Sequence, residues 1–159
     1  MPSTLASTGR RDPPPLRNSD GLAVYETFEH TADLGLRVTA PDLETLFRDA
    51  ARGLVAMIAE PEPSGAPARR RELRIEAATL ELLLFDWLAE LLFVLDTEPV
   101  LLGDFEVELE AHRLRASASE FPFDRQRYRP LREVKAITYH GLKVEPAASG
   151  YLAEVIVDI

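Results

Sequence analysis

Two short runs of side chains could do chemistry. The first is His30-Thr31-Ala32-Asp33, at the junction of two alternating apolar segments. Thr and Asp at such a junction bond nearby backbone groups, and ordinary turn chemistry accounts for them. The same residues also offer a carboxylate oxygen at Asp33 beside an imidazole at His30, the start of a ligand set. The second run is the chain end, where the apolar Val155-Ile156-Val157 passes directly into Asp158-Ile159. A chain ending on a buried strand is expected to fix its terminal carboxylate in space, one residue from the carboxylate of Asp158. Adjacent carboxylates repel unless a cation or basic group lies between them. Calcium accepts such all-oxygen clusters, and magnesium does so with water completing its shell. A solvated polar strand end is the plain alternative.

A third segment, Glu133 to His140 (EVKAITYH), alternates like a strand. It places Lys135, Ile137 and Tyr139 on one face and Val134, Ala136, Thr138 and His140 on the other. Lys135 can snorkel and His140 can be a simple hydrogen-bonding partner. No phosphate-binding glycine loop, dinucleotide fingerprint, paired-histidine zinc motif or nucleophile elbow occurs. The chain has no Cys, which excludes disulfides, thiolate metal sites and cysteine nucleophiles. Its net charge of −9 argues against bare nucleic acid as a direct partner, since affinity for phosphate backbones comes from Lys and Arg. A basic protein or a hard cation suits that charge better.

The elements that must position these residues follow from periodicity. Residues 1–21, with Pro13-Pro14-Pro15 among polar residues, read as a disordered tail ahead of one domain over 22–159. No run reaches the length of a membrane span and no signal-peptide core is present, so a cytoplasmic protein is expected. Leu22–Glu29 and Leu34–Thr39 read as strands. A helix is expected over Asp42–Ala59, with Thr39 and Asp42 forming a capping box. Its apolar stripe is Leu43, Leu46, Phe47, Ala50, Leu54, Met57 and Ile58, and its other face carries Glu44, Arg48, Asp49 and Arg52. Glu60–Arg71 reads as a loop and Glu72–Ala77 as a strand. The second helix, Thr79–Leu95, is apolar almost all round, interrupted only by Glu81, Asp86 and Glu90. Such a helix is either buried between two layers or exposed as a partner surface. A hairpin follows, Phe105–Leu109 with Leu114–Ala118, joined at Ala111-His112. After the loop Phe121–Leu131 come Glu133–His140 and its continuation Leu142–Glu145. A turn at Pro146–Gly150 and a last strand, Tyr151–Val157, complete the chain. The pattern is α+β: a single domain whose helices pack between or against mostly antiparallel sheets.

Three segments in this order resemble the archease family. They are Phe28-Glu29-His30-Thr31-Ala32-Asp33-Leu34-Gly35-Leu36, Val134-Lys135-Ala136-Ile137-Thr138-Tyr139-His140, and the ending Val157-Asp158-Ile159; the helix run Leu83–Leu95 is similar as well. The resemblance implies a three-layer β/α/β sandwich. It implies an accessory protein, not an enzyme, which activates a GTP-dependent RNA ligase joining 3′-phosphate or 2′,3′-cyclic phosphate ends to 5′-hydroxyl ends in tRNA splicing and RNA repair. It implies a divalent cation, calcium first with magnesium or manganese as alternatives, held by Asp33, Asp158 and Ile159. His30, Lys135 and His140 would then belong to the activation or partner site, and RNA would be met only through the ligase. No membrane is implied, and the oligomeric state is left open. Two other readings compete: a chaperone or modulator of an RNA-modifying methyltransferase, and a metal-dependent hydrolase using Asp33 and His140 as acid–base groups.

Overall fold

The computed structural model describes residues 24–30 and 33–159. The expected tail over 1–21 lies outside them, as do Leu22, Thr31 and Ala32 and the side chains of Glu29 and His30. The described elements are β1 (Tyr25–His30), β2 (Asp33–Ala40), α1 (Leu43–Ile58), β3 (Ala59–Glu60), β4 (Arg69–Glu76), α2 (Leu80–Thr97), β5 (Val100–Glu110), β6 (Arg113–Pro122), β7 (Arg129–Pro130), β8 (Ala136–Ile137), β9 (Lys143–Ala147) and β10 (Gly150–Asp158). One sheet runs β1-β2-β10, with β8 and β9 both pairing along the far side of β10; the other runs β4-β6-β5. All pairings are antiparallel. Each helix touches both sheets, so the helices form a middle layer and the sandwich expected from the all-round apolar helix is present. Among the described residues no helix is long and apolar enough to cross a membrane.

Burial of α2 follows from that position. Leu83, Leu84, Trp87, Leu88, Leu91, Leu92 and Val94 are buried, and the indole N–H of Trp87 donates to the Phe47 carbonyl of α1 at 3.0 Å. Asp86 and Glu90 reach solvent, as expected, while Glu81 is half-buried. Two apolar side chains of α2, Leu82 and Phe93, are exposed as well, so the helix is internal on most of its circumference but not all of it.

Several boundaries moved. Asp42 itself caps α1, accepting from the Thr45 N–H at 2.8 Å, and Thr39 belongs to β2, so the expected capping box is replaced by a single Asp cap. Asp49, expected on the solvent face, is buried and accepts from the Arg48 and Arg52 guanidinium groups at 3.2 and 3.4 Å, because α1 is covered from two sides. The loop read over Glu60–Arg71 is shorter, since β3 occupies its start and β4 begins at Arg69. The Phe121–Leu131 loop likewise contains β7, which pairs with β3. The strand expected over Glu133–His140 is reduced to Ala136–Ile137. Ala136 faces Asp158, the last residue of β10, so residues before 136 have no partner strand left. On the other side the chain turns at Tyr139–Leu142, with Gly141 at φ 64°. The alternation read there fails for the same reason: Val134 and Ile137 are both buried.

At the start of β4 the Glu120 side chain, 3% exposed, is held by the Arg69 and Arg71 guanidinium groups, and Arg71 also binds Glu98 at 2.6 Å. The hydrogen bond from Arg69, assisted by Arg71, keeps the Glu120 carboxyl below the usual carboxylate range. Its stabilising contribution is therefore present above the unfolded-state pKa and lost as pH falls through the folded one. The urea midpoint of wild type is expected to exceed that of Glu120→Gln at neutral pH, with the gap closing below about pH 4, near the reference carboxylate values. A gap that stays constant from pH 7 to pH 3 would contradict this assignment.

Candidate metal centre

The five-stranded sheet buries one face, through Leu34, Leu36, Val38, Ala153, Val155 and Val157. Its other face presents the intervening residues in cross-strand rows. One row is Glu26–Arg37–Glu154. Arg37 donates to Glu154 at 2.8 Å and to Glu26 at 2.7 Å, while Lys143 approaches Glu154 at 3.7 Å. The next row is Phe28–Gly35–Ile156. Phe28 lies flat over Gly35: a Cβ built there would stand 2.1 Å from the ring, and the Arg37 guanidinium sits 4.8 Å from the ring centroid. Gly35→Ala must therefore displace Phe28. The expected cost is about 1–3 kcal/mol, as for overpacking a filled site. Urea denaturation measures it, and a loss below a few tenths would show the ring to be freely movable.

The third row is His30–Asp33–Asp158–Ala136. Asp33 opens β2 and Asp158 closes β10, so residues from opposite ends of the domain stand directly opposite each other. Residues in such a position have Cβ atoms about 4.5–5.5 Å apart. Both are half-buried, and neither has a Lys or Arg within ion-pairing distance among the described residues. The apolar Phe28–Gly35–Ile156 row lies between them and Arg37. Ile159 follows Asp158 and is 39% exposed.

The other expected site residues divide. The Lys135 N–H donates to the Asp158 carbonyl at 2.7 Å, so its backbone borders the carboxylate pair, and its side chain is exposed. His30 borders Asp33 by backbone register. His140 lies in the turn between β8 and β9, where the adjacent Gly141 stands beside the Ile156 side chain. The sheet therefore brings Asp33, Asp158 and the backbone of Lys135 together, with Ile159 next in the chain. Sequence reading missed the Phe28 cover on Gly35 and the ionic row behind it. Their only sequence signal is Gly35 beside alternating apolar residues.

Among the described residues no three His, Asp or Glu side chains gather in metal-ligand fashion. A cation at the third row would therefore need the two Asp carboxylates supplemented by the main-chain carboxylate of Ile159, backbone carbonyls and water. That donor set is hard oxygen throughout, which suits calcium or magnesium and not a thiolate- or imidazole-seeking metal.

The comparisons with known proteins cover the same span. The model of the Archease protein family (MTH1598/TM1083) matches residues 25–159. The protein archease of Methanopyrus kandleri is 38% identical over 139 residues, covering 85% of this chain and 99% of that protein. Those of Thermococcus gammatolerans and Pyrococcus abyssi are each 36% identical over 140 residues, covering 85% of this chain and 98% of theirs. The solution structure of protein 1598 of Methanobacterium thermoautotrophicum superposes with a TM-score of 0.68 at 27% identity, covering 86% of this chain and 99% of that one. The crystal structure described as an archease, possible chaperone, from Thermotoga maritima shares the fold, with a TM-score of 0.59 at 19% identity over 84% of this chain and 96% of its own. With Asp33, Asp158 and the chain end all inside the matched span, this protein belongs to the archease family.

Proposed function

We propose that this protein activates a GTP-dependent RNA ligase, and that it does so with a divalent cation held by Asp33, Asp158 and the terminal carboxylate of Ile159. One observation carries the reading: two half-buried carboxylates face each other across β2 and β10, with no Lys or Arg in ion-pairing distance among the described residues. Like charges at that spacing are unfavourable unless something neutralises them. When bound, calcium or magnesium supplies that neutralisation and offers open coordination positions to a phosphate oxygen. The chain's own residues do the positioning. β2 and β10 fix the two Asp side chains, and the Phe28–Gly35–Ile156 row keeps Arg37 from pairing with them. The Lys135 backbone pins the end of β10, which aims Ile159 outward. The site then acts by placement and electrostatics on the ligase's nucleotide site, without a covalent step of its own. RNA is met through the ligase, in keeping with the charge of −9.

The test is a guanylylation assay with the cognate ligase, GTP and calcium, with and without this protein. Stimulation at substoichiometric amounts supports the reading. The description of the Thermotoga maritima relative as a possible chaperone favours a second one, in which the protein merely holds a client folded. That reading expects protection of the ligase from aggregation, in proportion to the amount added, and no change in guanylylation rate.

A further inference from the structure

The apolar surface left open among the described residues is concentrated in one place. Four large hydrophobic side chains are exposed, and three of them, Leu82 (36%), Phe93 (62%) and Tyr139 (62%), line the outer side of α2; the fourth is Ile159. Leu82, Phe85, Ala89 and Phe93 follow at steps of three and four, so they form one stripe, about 16 Å long at the helical rise. Tyr139, from the turn beyond β8, lies flat on Phe85 with ring centroids 3.8 Å apart and planes 10° apart, which widens the stripe at its middle. Acidic side chains border the stripe along α2. Asp86 and Glu90 are exposed beside the stripe, Asp96 lies in the last turn near Glu133, and α2 contains no Lys or Arg. None of Asp86, Glu90, Asp96 or Glu133 forms an ion pair among the described residues, although the rows of Arg on the sheets are largely paired.

We infer that this face docks a helix of a protein partner that carries apolar residues at three- and four-residue steps, bordered by Lys and Arg. Resting on the proposed function, the structure assigns that helix to the ligase, giving this protein a docking surface separate from its carboxylate pair. Charge decides the occupant. A symmetric pair of copies would set the same acids against one another. The acids likewise repel phosphates, which disfavours RNA.

The experiment measures binding of the purified cognate ligase by calorimetry to wild type, Phe93→Ser, Asp86→Lys/Glu90→Lys and Asp33→Asn. The first two variants change exposed residues, and circular dichroism with calcium titration checks that fold and cation binding are intact. The expected result is a Kd at least about tenfold higher for both, the size of a modest interface hot spot, while Asp33→Asn still binds. Wild-type affinity in both stripe variants would overturn the docking surface and leave the activator reading standing. No binding of the ligase to wild type would overturn both. A wild-type dimer that Phe93→Ser converts to monomer, or binding of single-stranded RNA lost in Phe93→Ser, would assign the stripe to another occupant and overturn the inference.

Discussion

Asp33→Asn is expected to weaken calcium binding by more than about 100-fold, since even outer-shell partners of metal ligands are worth roughly 10–100-fold, and to abolish stimulation of ligase guanylylation. The substitution keeps size and shape and removes one of two carboxylates that face each other on adjacent strands. A hard cation held by few charges depends steeply on each of them. Folding should be spared. Asp33 is the first residue of β2, its backbone ladder is unchanged, and loss of one charge relieves repulsion across the pair. In the absence of metal the melting temperature should stay level or rise slightly, whereas calcium should raise it for wild type and not for the variant, because only a species that binds the folded state shifts the transition. Adding residues after Ile159 should have the same effect from the other side, since a peptide carbonyl then replaces the terminal carboxylate. Calorimetric titration of EGTA-treated protein and the guanylylation assay are the measurements. Full stimulation by Asp33→Asn, or calcium affinity unchanged in a C-terminally extended protein, would remove these groups from the ligand set.

Trp87→Ala is expected to cost about 3–5 kcal/mol, the range for truncating a large core aromatic. Trp87 is fully buried in the middle layer, meets Phe105 edge to face with centroids 6.1 Å apart, and ties α2 to α1 through its indole N–H. Truncation leaves a void where both helices and the three-stranded sheet converge, and the two sheets cannot close on it without sliding against the helices. Urea unfolding followed by circular dichroism measures the loss, because Trp87 is the only tryptophan and its fluorescence goes with it. Trp87→Phe, which keeps most of the volume, should cost clearly less. A loss under about 1 kcal/mol for Trp87→Ala would be that of a surface change, contrary to the packing described.

The period of α1 and the all-round apolarity of α2 announced a helical layer covered from both sides, because burial is proportional to apolar area and that area is written in the sequence. Leu34, Leu36 and Val38 alternate with Asp33, Gly35 and Arg37, which puts the two sets on opposite faces of a strand, and the sheet turns the first set into the core. The family was legible from three segments in order. Other features depended on strand pairing. Glu133–His140 alternates as a full strand would, yet β10 ends at Asp158 on one side and the chain turns at Tyr139–Leu142 on the other, which leaves only Ala136–Ile137 as strand. Asp49 reads as a surface residue of α1, yet it is buried with the Arg48 and Arg52 guanidinium groups on its carboxylate. The all-round apolar pattern of α2 does not set Phe93 and Leu82 apart from their neighbours, and only the packing of the helix leaves them exposed.

Local pattern therefore determined which segments are helix or strand and which face of each is apolar, since propensity and periodicity act over a few residues. The tertiary structure decided which segments pair and in what register. Asp33 and Asp158 become neighbours only because β2 and β10 run antiparallel with those two residues opposite each other, and Gly35 has its purpose only because Phe28 and Ile156 share its row. Such contacts join residues far apart in the chain. Their free energy arises from closing the whole sheet over the helices, and no local stretch of sequence contains it.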